Sequence, residues 1–288
     1  MTLTPNRLQR INSGDNHWYK IDGTYAPGVT TALGLGLGLK FDIPSGWAAR
    51  VCANFVIERR HLLADPVWTD TELHNMIRSA PRNTRDDAAV KGKIIHAYGE
   101  QLHDTGEVEL ADEHAHIAAQ VEQYAGFLDR WQIDTVASEV PVANTTLRYA
   151  GTGDLIARSE PIVTLVNEWR AHAELEPLPL DAPGIIDLKS GKDIRDKDKC
   201  QVIAYGKADL CHIDGTEQPM PDIYWHGLVH VQAEFADLHL IRPTYEQQLW
   251  DLFNHALAEW HALDEKRGWI SHATDNVDRP LLAIETAA

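Results

Sequence analysis

The sequence is poor in the features that mark secreted, membrane-embedded and disulfide-rich proteins. It has 3 cysteines among 288 residues, too few and too scattered for a disulfide framework. It has no apolar run of about eighteen residues, the minimum for a membrane helix. Its first residues also lack the apolar core of a signal peptide. We therefore expect a cytoplasmic protein in a reducing environment, with no membrane partner.

Positive charge is also scarce. Lys and Arg together number 26 against 43 Asp and Glu, which gives a formal net charge of −17. Because phosphate binding depends on Lys and Arg, this balance disfavours nucleic acid as a partner of the whole surface. A local basic patch beside a metal ion can outweigh a remote acidic surface, so the net charge alone does not exclude nucleic acid.

What the sequence does contain indicates one folded unit. Hydrophobic residues make up 44% of the chain and 9 tryptophans are present, which argues against disorder and provides for a large core. No linker or internal repeat divides the chain. We predict a single compact domain, in which residues 1–82 form N-terminal turns and helices packed on a core of residues 83–288.

Hydrophobic periodicity predicts helices first, then strands, then helices and strands in alternation. Helices are predicted at residues 45–63, 70–79, 84–102, 111–131 and 198–211, and after Pro243. Strands are predicted at residues 136–142, 147–157, 184–188, 224–231 and 236–241. Turn-forming residues predict a hairpin around Asp22-Gly23, a flexible loop at residues 34–39 and an exposed proline-rich insertion at residues 174–183. The fold class is therefore α/β (α+β), a central mixed β-sheet flanked by helices with a helical N-terminal part.

One segment carries more chemical information than any other. Residues 184–191 have the sequence Gly-Ile-Ile-Asp-Leu-Lys-Ser-Gly, typical of a short buried strand that ends in charged residues. Side chains alternate across a strand, so Asp187 and Lys189 point to the same face. A buried carboxylate and ammonium are costly in a core. Their placement is better explained by a site that handles a metal ion and a phosphate.

A second carboxylate precedes this segment. Asp154 follows two glycines in Tyr149-Ala-Gly-Thr-Gly-Asp, where glycine lets a strand bend. If the strands pair as a meander, Asp154 lies near Asp187. Two converging carboxylates favour Mg²⁺ or Mn²⁺ over a metal that prefers thiolates. Taken alone, a Gly-Asp pair also fits a turn.

Two predicted helices carry further polar candidates. Gln201 and Tyr205 are four residues apart and share one helix face, where they suit contact with a phosphate oxygen or an attacking water. An ordinary amphipathic surface would look the same. His96 lies between apolar neighbours, as a metal ligand or a core histidine would. His226 and His230 share a strand face without a third ligand, which favours a solvated surface over a zinc site.

Four segments of the chain, in the order in which they occur, resemble the motifs of one family of enzymes. Gly-Lys-Ile-Ile-His (residues 92–96), Gly-Thr-Gly-Asp (151–154), Ile-Ile-Asp-Leu-Lys (185–189) and Gln-Val-Ile-Ala-Tyr (201–205) resemble motifs of the PD-(D/E)XK nuclease superfamily. The nearest likeness is to its RecB-like branch, and within that branch to phage-type exonucleases. It covers about residues 90–240, and residues 28–33 resemble an opening seen in phage members. The resemblance implies a restriction-endonuclease-like core.

The resemblance also implies a role for each motif residue. The implied metal ligands are His96, Asp154, Asp187 and the backbone carbonyl of Leu188. Lys189 would orient or deprotonate the attacking water rather than pair with the acid two residues away. Gln201 and Tyr205 would lie beside the site, and Glu139 would be an acid outside the metal's ligands. Some RecB-like relatives hold an iron–sulfur cluster on four cysteines, but this chain has only Cys52, Cys200 and Cys211. No cluster is therefore predicted.

The predicted activity is that of a Mg²⁺- or Mn²⁺-dependent deoxyribonuclease, a hydrolase of phosphodiester bonds. An exonuclease in DNA recombination, repair or phage DNA processing fits best, with DNA and a helicase or single-strand annealing protein as partners. A site-specific or structure-specific endonuclease is one alternative. A non-catalytic DNA-binding or assembly protein with the same fold is the other. Basic residues placed to guide DNA are Arg82, Arg85, Lys91, Lys93, Lys192 and Arg195.

Overall fold

The computed structural model describes residues 6–13, 16–36, 45–63, 65 and 67–270. Its strands are β1 (Leu8–Ser13), β2 (Asn16–Ile21), β3 (Thr24–Ala26), β4 (Asp134–Asn144), β5 (Tyr149–Arg158), β6 (Gly184–Lys189), β7 (Leu210–Ile213), β8 (Thr216–Pro219), β9 (Trp225–Val231) and β10 (Ala236–Leu240). Its α-helices are α1 (Val29–Gly36), α2 (Ser45–Glu58), α3 (Arg60–Leu63), α4 (Asp70–Thr105), α5 (Ala118–Arg130), α6 (Glu160–His172), α7 (Asp196–Gly206) and α8 (Glu246–Ile270). Short 3-10 turns, Asp112–Ile117 and Pro243–Tyr245, precede α5 and α8.

A seven-stranded sheet in the order β10-β9-β6-β5-β4-β7-β8 organises these elements. Strand β6 pairs with β9 in parallel, whereas its pairing with β5 is antiparallel. Helices α1, α7 and α8 contribute to an apolar core on one face of this sheet. Helices α4, α5 and α6 contribute to the core on the other face. The predicted fold class, a mixed sheet flanked by helices, is confirmed.

The N-terminal part includes a small sheet that packs against β4 and β5 of the large one. Strands β1, β2 and β3 form an antiparallel sheet, and Asp22 and Gly23 both have positive φ, 49° and 76°, as the predicted tight turn requires. The Tyr19 hydroxyl lies 2.9 Å from the Thr152 hydroxyl on β5. The predicted flexible loop at residues 34–39 is wrong at its start, because helix α1 continues to Gly36. Residues 37–39 lie outside the described residues.

Helix α4 is one helix of 36 residues where the sequence predicted two. It begins with a capping box, in which Thr69 and Glu72 bond each other's backbone N–H groups. It continues through Pro81, which lies in the gap between the two predicted helices. Proline has no N–H for the carbonyl four residues earlier; that carbonyl, of Ile77, accepts a hydrogen bond from the Cys52 thiol at 3.4 Å. The helix also crosses residue 82, so no element ends there.

Two further predictions differ from the structure. The connection between β5 and β6 contains helix α6 as well as the proline-rich loop, so the insertion is longer than residues 174–183. The helix predicted at residues 198–211 ends at Gly206, because Cys211 belongs to strand β7. The strands predicted at residues 224–231 and 236–241 and the final helix are confirmed. Among the described helices, none combines the length and apolar character needed to cross a membrane.

Candidate metal centre

Strand β6 places Asp187 and Lys189 just beyond its last pair with β5, where its pairing with β9 continues. Asp187 is buried, with 1% of its side chain exposed, and its Oδ2 lies 2.5 Å from Lys189 Nζ. Burial opposes the charge on Lys189, but the carboxylates of Asp187 and Asp154 raise its pKa and keep it an ammonium ion. In this structure Lys189 therefore pairs with the acid two residues away, contrary to expectation.

Helix α7 supports the other oxygen of Asp187. Gln201 Nε2 donates to Asp187 Oδ1 at 3.0 Å and to the Tyr205 hydroxyl at 2.9 Å. The Tyr205 ring lies against β5 at Gly151, where any Cβ atom would overlap it. Glycine at this position therefore lets the ring approach the backbone. Gln201 and Tyr205 are both buried and share one helix face, as the four-residue spacing predicted.

Asp154 and Glu139 lie where β4 and β5 lose their regular alternation. Gly153 faces Ile185 on the α7 side of the sheet, whereas two residues later Leu155 joins the opposite core. On β4, Glu139 has φ of 45°, an uncommon conformation for a non-glycine residue in a strand. The register between β4 and β5 pairs Ser138 with Leu155 and Val140 with Gly153, which puts Glu139 opposite Asp154. The distortion turns both carboxylates towards one place.

Helix α4 completes the cluster with a histidine. His96 Nδ1 lies 3.5 Å from Asp154 Oδ1 and 4.0 Å from Glu139 Oε1. The three ligand atoms lie within 4.8 Å of one another. The Leu188 N–H donates to Asp154 Oδ2 at 2.7 Å. The N–H and C=O of a strand residue project to the same edge of the strand, so the Leu188 carbonyl is expected on the Asp154 side.

The charges in this centre perturb one another strongly. Burial and the Asp154 charge raise the pKa of Glu139 to about 7. Burial also raises the pKa of Asp187 to about 6, although Lys189 opposes the shift. For His96, burial acts downward, but Asp154, Asp187 and Glu139 outweigh it and raise the pKa to about 9. The carboxylates of Glu139, Asp154 and Asp187 are therefore held close together although their charges repel one another.

The donor set suits a divalent cation. Carboxylate oxygens are ligands for Mg²⁺ and Mn²⁺, and an imidazole favours the transition metal. His96, Glu139 and Asp154 would hold the ion, with Asp187 as a neighbouring carboxylate. A cation here would relieve the repulsion among the carboxylates and displace the proton from His96. The residues present fit such an ion.

The centre opens into a cleft of about 690 Å³ between the N-terminal sheet and α4. His96, Glu139, Asp154 and Tyr205 line it, together with Arg10 from β1. The side chains of the cluster therefore lie at the surface of a cavity and are partly exposed to solvent. Asp187 lies behind them, in contact with Lys189 and Gln201.

The structure brings most of the predicted residues together, with a different division of roles. Asp154 and His96 are in the cluster and Leu188 contacts it. Asp187, predicted as a ligand, lies outside the group of three, and Glu139 is inside it. The sequence signal for Glu139 is an acid in the predicted strand 136–142, in which Ser138 is the one other polar residue. His226 and His230 are buried, contrary to expectation: His226 contacts Glu246, and His230 contacts the Gly191 carbonyl.

Comparison with known proteins assigns no family to this chain. No protein-family model matches the chain, and no curated protein matches it. The fold and the site by themselves define a class: a mixed α/β protein with a histidine–carboxylate cluster at the floor of an open cleft.

Proposed function

We propose that this protein is a metal-dependent DNA nuclease of the PD-(D/E)XK type, an exonuclease in DNA recombination, repair or phage DNA processing. The observation that carries the proposal is the convergence of His96, Glu139 and Asp154 beside the Asp187–Lys189 pair. Four separate elements supply these residues, and a structural core has no need of so many charges that are at least partly buried. The four-segment resemblance described above supports the same activity.

Each residue has a task that its contacts support. A bound Mg²⁺ or Mn²⁺ would act as a Lewis acid towards the phosphate and activate water. Lys189 supplies a fixed positive charge beside Asp187, where it can orient a water molecule and stabilise negative charge on the phosphate. Gln201 holds Asp187 through Oδ1 and so fixes the position of the Asp187–Lys189 pair. Tyr205 fixes Gln201 in turn.

A cleavage assay tests the proposal. Purified protein is incubated with end-labelled linear DNA and closed circular DNA, in Mg²⁺, in Mn²⁺ or in EDTA. We expect metal-dependent degradation of linear DNA only, and at least a 100-fold loss of rate in Asp154→Asn and Lys189→Ala. Asp222→Asn, an exposed carboxylate outside the cleft, is the matched control and should cleave normally.

Three results would contradict the proposal in different ways. If the wild-type protein cleaves no DNA in either metal, the proposed nuclease activity is refuted. If Asp154→Asn cleaves DNA as fast as the wild type, the proposed metal centre is refuted. Cleavage of closed circular DNA replaces the exonuclease with an endonuclease and leaves the metal centre in place.

A further inference from the structure

One face of the N-terminal sheet is turned towards the metal centre. Side chains alternate along a strand, so Leu8 and Arg10 on β1 share a face, as do Tyr19 and Ile21 on β2. Leu8, Tyr19 and Ile21 are buried in the core between the two sheets. Arg10 lies directly opposite Tyr19 in the register of β1 and β2, so its side chain belongs to the same face. Arg10 accordingly lines the cleft.

Two hydrogen bonds fix this face relative to the large sheet. The Tyr19 hydroxyl lies 2.9 Å from Thr152 Oγ1 on β5, the strand that carries the aspartate of the metal cluster. The Leu8 N–H donates to Glu217 Oε2 on β8 at 2.9 Å. Both anchors are close to Arg10, one directly opposite it and the other two residues before it. The backbone of Arg10 is therefore held in place beside the cleft by contacts of its neighbours.

Arg10 has no anionic partner among the residues that the structure describes. Its side chain is exposed, and its guanidinium group forms no hydrogen bond or ion pair with any of them. Arg7, three residues earlier, is bound to Asp22 by hydrogen bonds of 2.9 and 3.0 Å. Acids outnumber bases by 43 to 26 in this chain, so a lack of acids does not explain the difference.

The charge of Arg10 acts on the metal centre. Burial and the Asp154 charge raise the pKa of Glu139, and the charge of Arg10 opposes this rise. His17 also lines the cleft, but burial and the Arg10 charge lower its pKa and favour the neutral imidazole. Among the described residues that this sheet contributes to the cleft, Arg10 therefore carries the positive charge.

A guanidinium group in this place suits a phosphate. Glu139 and Asp154 belong to the cluster that would hold the cation, and Arg10 faces the same cleft without contacting either carboxylate. A ligand can therefore occupy the space between Arg10 and the cluster. The parallel N–H groups of arginine match the oxygens of a phosphate. A positive charge fixed beside the phosphate also stabilises the negative charge that develops on it during cleavage.

We propose that Arg10 binds the phosphate group that is cleaved at the metal centre, with its guanidinium group donating to a non-bridging oxygen. The inference rests on the proposed function for the identity of this phosphate as a phosphodiester of DNA. It adds a substrate-binding residue outside the four segments that resemble nuclease motifs. It also gives the N-terminal sheet a part in the reaction.

Binding without cleavage tests the phosphate contact. A labelled thymidine oligonucleotide is titrated in EDTA at several salt concentrations, and fluorescence anisotropy reports its affinity. Arg10→Gln should lower the slope of log affinity against log salt by about 0.7, the contribution of one phosphate contact of a single strand. Arg10→Lys keeps the charge and should keep the slope.

Lys20→Gln is the matched control for binding. Lys20 follows Tyr19 on β2, so it lies on the opposite face of the same sheet, and it is not among the residues that line the cleft. Its removal should leave the slope unchanged. An unchanged slope in Arg10→Gln overturns the phosphate contact, and so does an equal decrease in Lys20→Gln.

Cleavage of the same oligonucleotide in Mn²⁺, at saturating concentration, tests the place of the contact. Arg10→Gln should lower the rate about 100-fold, as expected for the loss of a donor to the developing charge. Arg10→Lys should lower it about tenfold, because an ammonium group does not reproduce the parallel N–H groups. Lys20→Gln should cleave normally. A normal rate in Arg10→Gln overturns the assignment to the cleaved phosphate.

The two measurements separate this inference from the proposed function. If the salt slope depends on Arg10 but the wild-type protein cleaves no DNA, the nuclease function is refuted and the phosphate contact stands. If the wild type cleaves DNA and Arg10→Gln changes neither slope nor rate, this inference alone is refuted. A wild-type protein that neither binds nor cleaves DNA refutes both.

Discussion

The carboxylates of Glu139, Asp154 and Asp187 are crowded into one centre with the imidazole of His96 and the ammonium group of Lys189. Such a centre costs folding free energy, because each carboxylate loses hydration and two of them repel a neighbour of like charge. Residues selected for stability alone would be neutral here. Such a loss of folding free energy is typical of a functional site, where binding of a ligand offsets it.

Glu139→Gln should therefore stabilise the metal-free protein at pH 8. The folded-state pKa of Glu139 is about 7, above its ordinary value of 4.5, because of burial and the Asp154 charge. Between these values the folded state binds more protons than the unfolded state, so this residue lowers stability as pH rises. We expect a gain of about 1–2 kcal/mol at pH 8, after allowance for solvent screening, and almost none at pH 4.

Urea denaturation of both proteins at the two pH values measures this difference. The variant should at the same time bind Mn²⁺ more weakly, because an amide is a poorer ligand than a carboxylate. The crowding of charge would be contradicted if Glu139→Gln gained less unfolding free energy over the wild type at pH 8 than at pH 4.

Gly151 offers a second test, of packing rather than charge. Gly151→Ala places a methyl group against the Tyr205 ring, so the ring must shift and Gln201 loses its partner. We expect a loss of about 1–3 kcal/mol in unfolding free energy. Gly126→Ala on α5, where nothing lies within 4 Å, should be neutral or stabilising. The loss should shrink when Tyr205→Leu is combined with Gly151→Ala, and an additive double mutant would show that the two residues do not meet.

At this scale the sequence predicts residue identity better than residue role. Asp154 and His96 follow from motif and spacing. Glu139 does not, because its position depends on a positive φ and on the register between β4 and β5. The Asp187–Lys189 ion pair also depends on which face of the strand is shielded from solvent, and the alternation of side chains alone does not identify that face.

Among the elements, α4 has the most unusual construction. Pro81 leaves the Ile77 carbonyl without its helical donor, and the Cys52 thiol on α2 supplies one. Pro81→Ala restores the N–H and should raise the unfolding free energy by about 1 kcal/mol or more. Cys52→Ala should cost about 1 kcal/mol in the wild type, and less in the Pro81→Ala background, where the carbonyl has a new partner.

This double-mutant cycle is measured by urea denaturation. Cys52→Ser keeps a donor and should behave nearly as the wild type. Equal costs of Cys52→Ala in both backgrounds would contradict the link between the thiol and the proline.

The elements that the sequence misplaces are determined by tertiary contacts rather than by their local sequence pattern. Pro81 is a strong signal for a break, and only the packing of α2 against α4 compensates for it. Helix α6 lies inside a connection whose prolines dominate the local pattern. Strands β7 and β8 are four residues each, too short for periodicity to show, and only the sheet edge beside β4 fixes them. Long elements with a regular apolar pattern, such as β9 and α8, are predicted correctly.

For the whole molecule, metal binding should raise the free energy of unfolding. A ligand that binds the folded state alone adds about 2.7 kcal/mol at one hundred times its Kd. For a chain of this size we expect Mn²⁺ to raise Tm by roughly 5 °C, and EDTA to reverse the shift. Asp154→Asn should show no response, whereas Asp222→Asn should respond as the wild type does. A shift that survives Asp154→Asn would place the metal elsewhere.

The length of α4 connects two distant parts of the fold. The helix carries both the Ile77 carbonyl, which accepts from Cys52 on α2, and His96 of the histidine–carboxylate cluster on one continuous backbone. At 1.5 Å per residue these two positions lie about 28 Å apart along the axis. Because a rigid helix transmits a shift at one end to the other, a change in the packing of α2 should alter the position of the imidazole although no residue of the cluster is touched.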